Sequence, residues 1–521
     1  MCGIYWLLHT KNFTEYDINR IKQNFENGSG RGPDYSTLIK KHNSYIGFHR
    51  LSINDLTENG NQPFEINNCI LVCNGEIYNH KELIEEYNLN MSSSSDCEVI
   101  IHLYKLFGIS KTINMLDGVF AFALYDIKAK TLMVARDFFG VRPLFISQDN
   151  NALEICSELK MSSINQDKSI QFSPGKCMIF NIVDNKIKKT SCYNYYTLNL
   201  KNVISKNIYN KVYESLNDAV KKRVDNTERP IGCLLSGGLD SSIIASLVKK
   251  NLNNNTKLKT FSIGLDGSVD IHHSRIMAQY LDSDHTEFIV TEKEMLESIP
   301  EVIKTIESYD TTTVRASVGN WLIGKKISES SDCKVIFNGD GSDEVAGGYL
   351  YFREAPSNEE FDLECKRLLS HIHYFDVLRS DRSVSFHGLE ARTPFLDRNF
   401  VETYLRLDLS ERVSKGKLDK FIFREAFKNI LPKEILERKK EAFSDGVSSK
   451  KKSWYEIIQR YTVDKPMINC YNNSPKTPEQ SYYRTIFLQH YKYSSHVIPY
   501  FWMPKFIEAE DSSARTLKIY T

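Results

Sequence analysis

The sequence predicts two domains, a β-rich α+β domain followed by an α/β domain with a parallel sheet. The 521 residues exceed the length at which a single hydrophobic core keeps growing. Residues 1–195 contain short apolar runs of β type, bounded by Gly, Asp or Asn. From about residue 231, short apolar runs alternate with longer helical patterns, which favours a parallel sheet covered by helices. We therefore place the domains at residues 1–195 and 206–521, joined through the polar stretch 198–210.

Individual runs support this division. The β-type runs of the first region are Asn68–Cys73, Val119–Tyr125 and Thr131–Ala135. The buried-strand candidates of the second region are Ile231–Leu235, Lys259–Ile263 and Val335–Phe337. A helical pattern at Ser241–Lys250 follows the first of these strands, as expected for a strand–helix unit of a parallel sheet.

Composition and charge exclude several classes of protein. The chain is 41% hydrophobic and 26% charged, which is ordinary for a soluble globular protein. Its 67 Lys and Arg nearly balance 66 Asp and Glu, so no basic field attracts nucleic acid or an anionic membrane. No apolar run approaches the ~18 residues of a membrane span, and the N-terminal apolar stretch is too short for a signal peptide. Eleven scattered cysteines without a CxxC pair indicate a reducing compartment. We expect a cytoplasmic protein and leave open whether it forms a homodimer.

The second residue, Cys2, is a candidate nucleophile. Cysteine is small enough for the initiator methionine to be removed, which would leave a thiol beside its own α-amine. An α-amine has a pKa of about 7.7–8.0 in model compounds, so part of it is unprotonated near neutrality and can act as a base. Attack of the thiolate on a primary carboxamide forms a thioester and releases ammonia. A cysteine at position 2 alone leaves coincidence as the alternative interpretation.

Several segments of residues 1–195 help to interpret Cys2. They are Cys2-Gly3-Ile4, Arg31-Gly32-Pro33-Asp34, His49-Arg50-Leu51-Ser52-Ile53, Asn74-Gly75-Glu76-Ile77-Tyr78-Asn79, Ser95-Asp96-Cys97-Glu98, Asp117-Gly118-Val119-Phe120-Ala121 and Arg136-Asp137. With them the region resembles the class II glutamine amidotransferases, in which a terminal cysteine begins a four-layer αββα domain of the N-terminal nucleophile hydrolase type. The family commonly has His before Arg-Gly-Pro-Asp, and here that residue is Gly30.

This resemblance implies a glutamine site. Arg50 offers a planar fork for the α-carboxylate of glutamine, and Asp96 offers a charge for its α-ammonium group. Asn74 and the backbone N–H of Gly75 can stabilise a tetrahedral oxyanion. The other expected glutamine contacts are Leu51, Ser52, Ile53, Asn54 and Glu76. The alternative interpretation is that Asn74-Gly75 only forms a hairpin turn.

A glycine-rich turn after the strand Ile231–Leu235 is a candidate phosphate site. It reads Ser236-Gly237-Gly238-Leu239-Asp240-Ser241-Ser242. A buried strand that ends in such a turn and a helix start collects backbone N–H groups around an anion. Gly237 and Gly238 allow close approach, and the serine hydroxyls add donors. The run lacks the Lys of GxxxxGK[ST] loops and resembles the PP-loop of enzymes that cleave ATP between the α- and β-phosphates.

The single carboxylate of Asp240 provides few ligands for a hard cation such as Mg²⁺. A second turn supplies further carboxylates. This turn, Asn338–Glu344, follows the strand Val335–Phe337. Together with it, the chain resembles over nearly its whole length the glutamine-hydrolysing asparagine synthetases. The further matching blocks are Thr260–Leu265, Tyr309–Ser317, Gly347–Tyr349, Glu390–Asp397 and Arg438–Gly446.

The resemblance assigns roles to residues of the second domain. Asp240 and Asp343 would hold Mg²⁺, while Thr312 and Arg315 would face the phosphates and aspartate. Lys440 would neutralise charge on the leaving group or the tetrahedral species, the alternative being a solvated lysine. The residues expected to contact ATP are Leu235, Ser236, Gly237, Gly238, Asp240, Ser241, Ser242, Ile263, Asn338 and Gly339.

One residue of the second turn departs from the family pattern. The family usually has Ser-Gly-Glu-Gly-Ser-Asp-Glu, with the first glutamate tied to forming and aminating an adenylate. Here Asn338 replaces the serine and Asp340 the glutamate. The carboxylate is thereby drawn back by one methylene, roughly 1.5 Å, and a misplacement of about 1 Å can cost on the order of 10²-fold in rate. Either the backbone has moved in, a water bridges the gap, or catalysis is slow.

The implied reaction converts aspartate, ATP and glutamine to asparagine, AMP, pyrophosphate and glutamate through a β-aspartyl adenylate. Ammonia is nucleophilic only while unprotonated, so the resemblance implies an internal channel that excludes solvent. Three alternatives remain at this point. They are a relative that amidates another carboxylate, a β-lactam-forming relative, and a non-catalytic sensor of glutamine or nucleotide. The β-lactam-forming enzymes dispense with the cysteine, which makes Cys2 an argument against them.

Overall fold

The structure is a computed structural model that describes the chain apart from residues 165, 185, 254, 414, 415, 417, 441, 442, 449–451 and 519–521. The strands are β1 (Gly3–His9), β2 (Tyr35–Lys41), β3 (Ser44–Arg50), β4 (Phe64–Ile66), β5 (Cys69–Ile77), β6 (Gly118–Asp126), β7 (Thr131–Arg136), β8 (Phe145–Gln148), β9 (Ala152–Cys156), β10 (Ile170–Gln171), β11 (Lys176–Val183), β12 (Lys186–Asn194), β13 (Ile231–Leu234), β14 (Lys259–Leu265), β15 (Asp284–Val290), β16 (Val335–Phe337) and β17 (Glu390–Arg392).

The α-helices of the described residues follow in the same chain order. They are α1 (Glu15–Glu26), α2 (His80–Tyr87), α3 (Val99–Phe107), α4 (Ile109–Met115), α5 (Ile208–Asp225), α6 (Leu239–Asn251), α7 (Val269–Tyr280), α8 (Glu292–Ile306), α9 (Thr311–Ser330), α10 (Ser342–Ala346), α11 (Asn358–His371), α12 (Asp376–Ser385), α13 (Arg398–Leu405), α14 (Leu409–Arg412), α15 (Phe421–Ala426), α16 (Lys433–Leu436), α17 (Phe443–Gly446), α18 (Trp454–Thr462) and α19 (Pro478–His490). Among them, none is both long and apolar enough to cross a membrane.

The first domain is built from two six-stranded antiparallel sheets. Their strand orders are β10-β8-β9-β1-β3-β2 and β12-β11-β7-β6-β5-β4. Side chains alternate between the two faces of a strand, so Ile4 and Trp6 of β1 meet Ile70 and Val72 of β5 in a core between the sheets. Helices α2–α4 cover the outer face of the second sheet, and α1 packs on the outer face of the first. The expected four-layer αββα fold is confirmed.

The second domain has a five-stranded parallel sheet in the order β15-β14-β13-β16-β17. Helices α5 and α6 pack in the apolar core on one face, and α8 and α9 pack in the core on the other. The predicted α/β class and its three buried strands are confirmed. Because the strands are parallel, the turns after β13 and β16 lie at one edge of the sheet, where ligands of such folds bind.

The polar stretch 198–210 runs between the domains, but its last residues are not linker, because α5 begins at Ile208. The backbone N–H groups of Val203 and Ile204 donate to the carbonyl of Arg406, which fixes this segment to the second domain.

Buried ion pairs join the two domains. The Arg31 Nη1 atom lies 2.7 Å from Asp381 Oδ2, and the Arg392 Nη2 atom lies 3.1 Å from Glu76 Oε2. These four side chains are at most 5% exposed. Removing one partner of a buried pair leaves an uncompensated charge and typically costs about 3–5 kcal/mol. The pairs therefore hold the domains in one relative orientation.

Candidate active sites

Cys2 lies immediately before β1 and is held by backbone contacts. Its backbone N–H donates to Asn74 Oδ1 over 3.1 Å, and its carbonyl accepts from Arg31 Nε over 2.9 Å. The thiol points towards the carbonyl of Leu51, at 3.7 Å. The structure thus brings Cys2 and Asn74 together, although 72 positions separate them in the sequence.

Asn74 and Gly75 form the side of this site where an oxyanion would bind. They lie inside β5, which pairs with β6 as far as Ile77, so the hairpin-turn alternative is wrong. The Asn74 Nδ2 atom is buried and makes no hydrogen bond, which leaves a donor free for a ligand. A Cβ atom at Gly75 would lie 2.5 Å from the carbonyl oxygen of Val119, so only glycine fits there.

Burial shifts the pKa values of two groups at the N-terminus, the Cys2 thiol and the α-amine of Met1. It raises the pKa of the Cys2 thiol to about 11 and lowers the pKa of the α-amine of Met1 to about 6. The thiol is therefore protonated near neutrality, while an amine in this environment is largely unprotonated and can accept a proton. Removal of Met1 would transfer the α-amine to the Cys2 nitrogen, which already lies beside Asn74.

Arg50 and Asp96 are the two charged residues expected to bind the α-carboxylate and α-ammonium groups of glutamine. Arg50 donates to the carbonyl of Thr57 and to Asn61 Oδ1, each over 2.7 Å, and also to the carbonyl of Asp55. In this structure its guanidinium thus holds the loop 54–61. Asp96 is buried and accepts from the Ile77 N–H over 2.6 Å, and its pKa is raised by burial.

Of the five other predicted contacts, Leu51 has its carbonyl beside the Cys2 thiol. The remaining four are hydrogen-bonded within the domain or at the domain interface. The Ser52 N–H donates to Asp34, and the Ile53 carbonyl accepts from the Glu228 N–H. Asn54 donates to Glu76 Oε2 over 2.9 Å, and that carboxylate also accepts from Arg392 at the domain interface. The Glu76 Oε2 atom therefore bonds across the domain interface.

We expect Arg50→Lys to raise the KM for glutamine about tenfold or more while kcat changes less, because an ammonium group cannot replace a planar fork that makes several hydrogen bonds. The measurement is glutaminase activity against glutamine concentration. Lys128→Arg, an exposed exchange in the same domain, is the control. An unchanged KM would remove Arg50 from the glutamine site.

The PP-loop leads from β13 into α6. Gly237 has a φ of +68°, and a Cβ atom there would lie 2.3 Å from the backbone of His273, so glycine is required. The Ser236 and Ser241 hydroxyls lie 3.0 Å apart, and Ser236 Oγ accepts from the Gly238 N–H. The Ser242 hydroxyl is buried without a hydrogen-bond partner. The loop therefore presents hydroxyl and N–H donors at a helix start, where an anion is stabilised.

Two carboxylates and two lysines meet beside this loop. Lys420 Nζ lies 2.7 Å from Asp240 Oδ2 and 2.5 Å from Asp343 Oδ1. Lys440 Nζ lies 2.6 Å from Asp343 Oδ2. Burial opposes the ionised form of Asp343, but the two ammonium groups hold its pKa well below the usual range. Asp240 also accepts from the Ser342 hydroxyl over 2.7 Å. The solvated-lysine alternative for Lys440 is wrong.

One cavity contains most of the residues predicted for the second site. Leu235 and Ile263 supply apolar wall, and the buried Thr312 hydroxyl makes no hydrogen bond. Gly339 packs against Asp240 so closely that a Cβ atom would lie 2.9 Å from the Cβ of that residue. The predicted residues lining this cavity are Leu235, Ser236, Gly238, Asp240, Ser241, Ile263, Thr312, Asn338, Gly339, Asp340, Asp343 and Lys440.

The matches with known proteins cover both domains. The model of the glutamine amidotransferase domain matches residues 1–213, and the model named asparagine synthase matches residues 211–364 and 354–498. Asparagine synthetases (glutamine-hydrolyzing) of Gallus gallus, Mus musculus and Homo sapiens are each 41% identical over 531 residues, covering 94% of this chain and 94% of the relative. The chain belongs to this family.

Arg315 is placed differently from the expectation that the family resemblance gave. It does not line the cavity; its guanidinium makes paired hydrogen bonds of 2.5–2.8 Å to Glu479 and Asp511. The side chain is 3% exposed. These two carboxylates neutralise it inside the protein, so Arg315 ties α9 to α19 and to the C-terminal segment.

Several residues that line the cavity or contact its carboxylates were not predicted from the sequence. Lys420 bridges the two carboxylates, and Arg438 donates to the Ser236 carbonyl over 3.1 Å and to Asp270 over 2.6 Å. Arg379 lines the cavity from α12 and donates to Asp340. Arg438 lies in a block that matched the family, whereas nothing in the spacing around Lys420 or Arg379 indicated a site.

Proposed function

We propose that this protein forms asparagine from aspartate and ATP, with ammonia obtained by hydrolysis of glutamine, and that AMP, pyrophosphate and glutamate are the other products. The observation that carries the proposal is the presence of two candidate sites in one chain. Cys2 lies beside an unoccupied Asn74 donor. The PP-loop lies beside two carboxylates and two lysines.

In the first site the Cys2 thiolate attacks the side-chain carboxamide of glutamine. The α-amine of residue 2 takes the thiol proton, and Asn74 Nδ2 stabilises the negative charge on the oxygen of the tetrahedral species. Collapse breaks the C–N bond, the proton passes to the leaving nitrogen, and ammonia departs. Water then hydrolyses the thioester to glutamate.

In the second site a carboxylate oxygen of aspartate attacks the α-phosphorus of ATP, and the bond to pyrophosphate breaks. Lys420 and Lys440 are placed to neutralise the charge that accumulates on the departing phosphates. Ammonia then attacks the acyl carbon of the adenylate, and AMP leaves with the electron pair of the broken C–O bond. Asp340, which lines the same cavity, is the candidate to accept the proton released from nitrogen.

The residues fit Mg²⁺ by the chemistry of their donors. Asp240 and Asp343 each place a carboxylate beside the PP-loop, where Lys420 contacts one oxygen of each, and oxygen is the donor that Mg²⁺ prefers. Among the described residues no group of three or more His, Cys, Asp or Glu side chains could hold a metal. Mg²⁺ often binds through one or two carboxylates plus substrate phosphates. Asp240 and Asp343 would hold it, and it would supply further charge neutralisation at the phosphates.

Helix α12 connects the two sites. Its residue Asp381 accepts from Arg31, which also holds the carbonyl of Cys2, and its residue Arg379 lies in the second cavity. Ammonia must pass unprotonated between the sites, and we expect it to cross this buried interface, which excludes solvent. We place the division between the domains at residues 195 and 206.

The test measures pyrophosphate release from ATP with aspartate, with other carboxylic acids, and with no acceptor. Release with aspartate, followed by transfer of label from [amide-¹⁵N]glutamine to asparagine, is the expected result. Release with another acid but not with aspartate would contradict the choice of substrate. No release under any condition would support a sensor instead.

A further inference from the structure

Two adjacent residues of α12 hold the turn that follows β16. Asn338 Nδ2 donates to Ser380 Oγ over 2.7 Å. Arg379 Nη2 donates to Asp340 Oδ1 over 2.9 Å. The turn is therefore bound at its first and third residues by neighbouring residues of one helix. This closed arrangement fixes both the backbone of the turn and the carboxylate that faces the cavity.

Asn338 also binds the backbone of the turn itself. Its Oδ1 atom accepts from the Asp340 N–H over 3.2 Å, and its own N–H donates to the carbonyl of Arg392 in β17 over 3.1 Å. Asn338 is 5% exposed and Ser380 is 1% exposed. Hydrogen bonds between buried groups are costly to leave unmade. The carboxamide therefore connects the central sheet, the turn and α12 at one point.

The chemistry of the carboxamide explains why residue 338 is an asparagine. Its oxygen and nitrogen are separate atoms, so it accepts from the turn and donates to the helix at the same time. A serine hydroxyl is a single atom one bond from Cβ. It could still accept locally from the Asp340 N–H, but it would not span the distance to Ser380.

We propose that Asn338 is a positioning residue that sets the reach of Asp340 into the cavity. The Asn338–Ser380 bond holds α12 and the turn together, and Arg379 then aligns the Asp340 carboxylate. The shorter arm of Asp340 is thus matched to the backbone position that Asn338 imposes. The inference rests on the proposed function, since the reach matters only if Asp340 acts at the adenylate.

A double-mutant cycle tests this coupling with Asn338→Ser, Asp340→Glu and the two combined, using the full-length enzyme. The readouts are asparagine formation from ammonium chloride, ATP KM, glutaminase activity and thermal unfolding. We expect Asn338→Ser to lower kcat about tenfold or more, with ATP KM within about twofold. Asp340→Glu alone should also be slower, because its extra methylene overfills the set position. The combination should recover to within about threefold of the wild type, because the longer arm spans the relaxed gap.

Two further variants separate positioning from folding. Ser380→Ala removes the same hydrogen bond from the side of α12, and Ser380 does not line the cavity. It should reproduce the loss in kcat, so a failure of Asn338→Ser to fold would not end the test. Asn202→Ser is the matched control, because Asn202 makes two hydrogen bonds to backbone carbonyls far from the turn. It should leave kcat unchanged.

Three results would contradict the inference, and one of them would also contradict the proposed function. If Asn338→Ser lowers the rate by the same factor with Asp and with Glu at position 340, the coupling is absent and the inference is overturned. The inference is also overturned if the loss appears in ATP KM rather than in kcat. If the wild type forms no asparagine, the proposed function fails, and the inference falls with it.

Discussion

Cys2→Ala is expected to lower glutamine-dependent asparagine formation by at least about 10³-fold and to leave synthesis from ammonium within about twofold of the wild type. The thiol supplies the only nucleophile proposed for glutamine, and alanine cannot form the thioester. The second cavity is lined by residues of the other domain and does not include Cys2. The measurement is asparagine formation with each nitrogen source at saturating aspartate and ATP.

Cys192→Ala is the control for this experiment. Cys192 is an exposed cysteine on β12 of the same domain, and its loss should affect neither nitrogen source. Because Cys2 is small and partly exposed, its replacement by alanine should leave the melting temperature nearly unchanged. Equal loss of activity with glutamine and with ammonium would contradict the division of the reaction between two sites.

The sequence was sufficient to predict residues that follow recognisable strands. Asp240 and Asp343 each come shortly after a buried apolar run. Since the carboxyl ends of parallel strands meet at one edge of a sheet, their proximity could be expected before the structure was known. The alternation of short apolar runs and helical patterns likewise predicted the α/β class. The order of strands in each sheet was not predictable, because it depends on long-range pairing.

Partners supplied by distant elements could not be predicted. Lys420 lies at the start of the short helix α15 and contacts Asp240, 180 positions earlier in the chain. No periodicity or spacing connects the two. Arg315 is a second example, because the carboxylates that neutralise it lie 164 and 196 positions away in the sequence. A motif gives the chemistry of a side chain, but the direction in which it points depends on the whole fold.

The consequence of having aspartate at position 340 could not be predicted from the sequence either. The exchange of glutamate for aspartate is visible in the sequence, but its consequence depends on where the backbone lies. The structure shows Asp340 in the cavity and bound to Arg379. It also shows that Asn338, the other exchanged residue of the block, contacts the same helix. Two substitutions that look independent in the sequence therefore meet in one set of hydrogen bonds.

Asp240→Asn is expected to lower pyrophosphate release by at least about 10²-fold, even at saturating aspartate and Mg²⁺. A neutral amide is a poor ligand for a hard dication. Glutamine hydrolysis should persist, because Cys2 and Asn74 lie in the other domain. Asp218→Asn, the same change at an exposed position of α5, is the control. Retained cleavage of ATP would contradict the PP-loop assignment.

The same variant can distinguish two roles of Asp240, because its carboxylate contacts both lysines and is also a candidate metal ligand. If it serves as a ligand, the Mg²⁺ concentration for half-maximal activity should rise, and excess Mg²⁺ should recover part of the rate. If it only orients Lys420, 2.7 Å away, excess Mg²⁺ should have no effect. We expect recovery, because Lys420 retains a second carboxylate contact at Asp343 and Lys440 retains its own to the same residue. The lysines therefore keep an anchor without Asp240, whereas the metal would lose one of its two protein carboxylates.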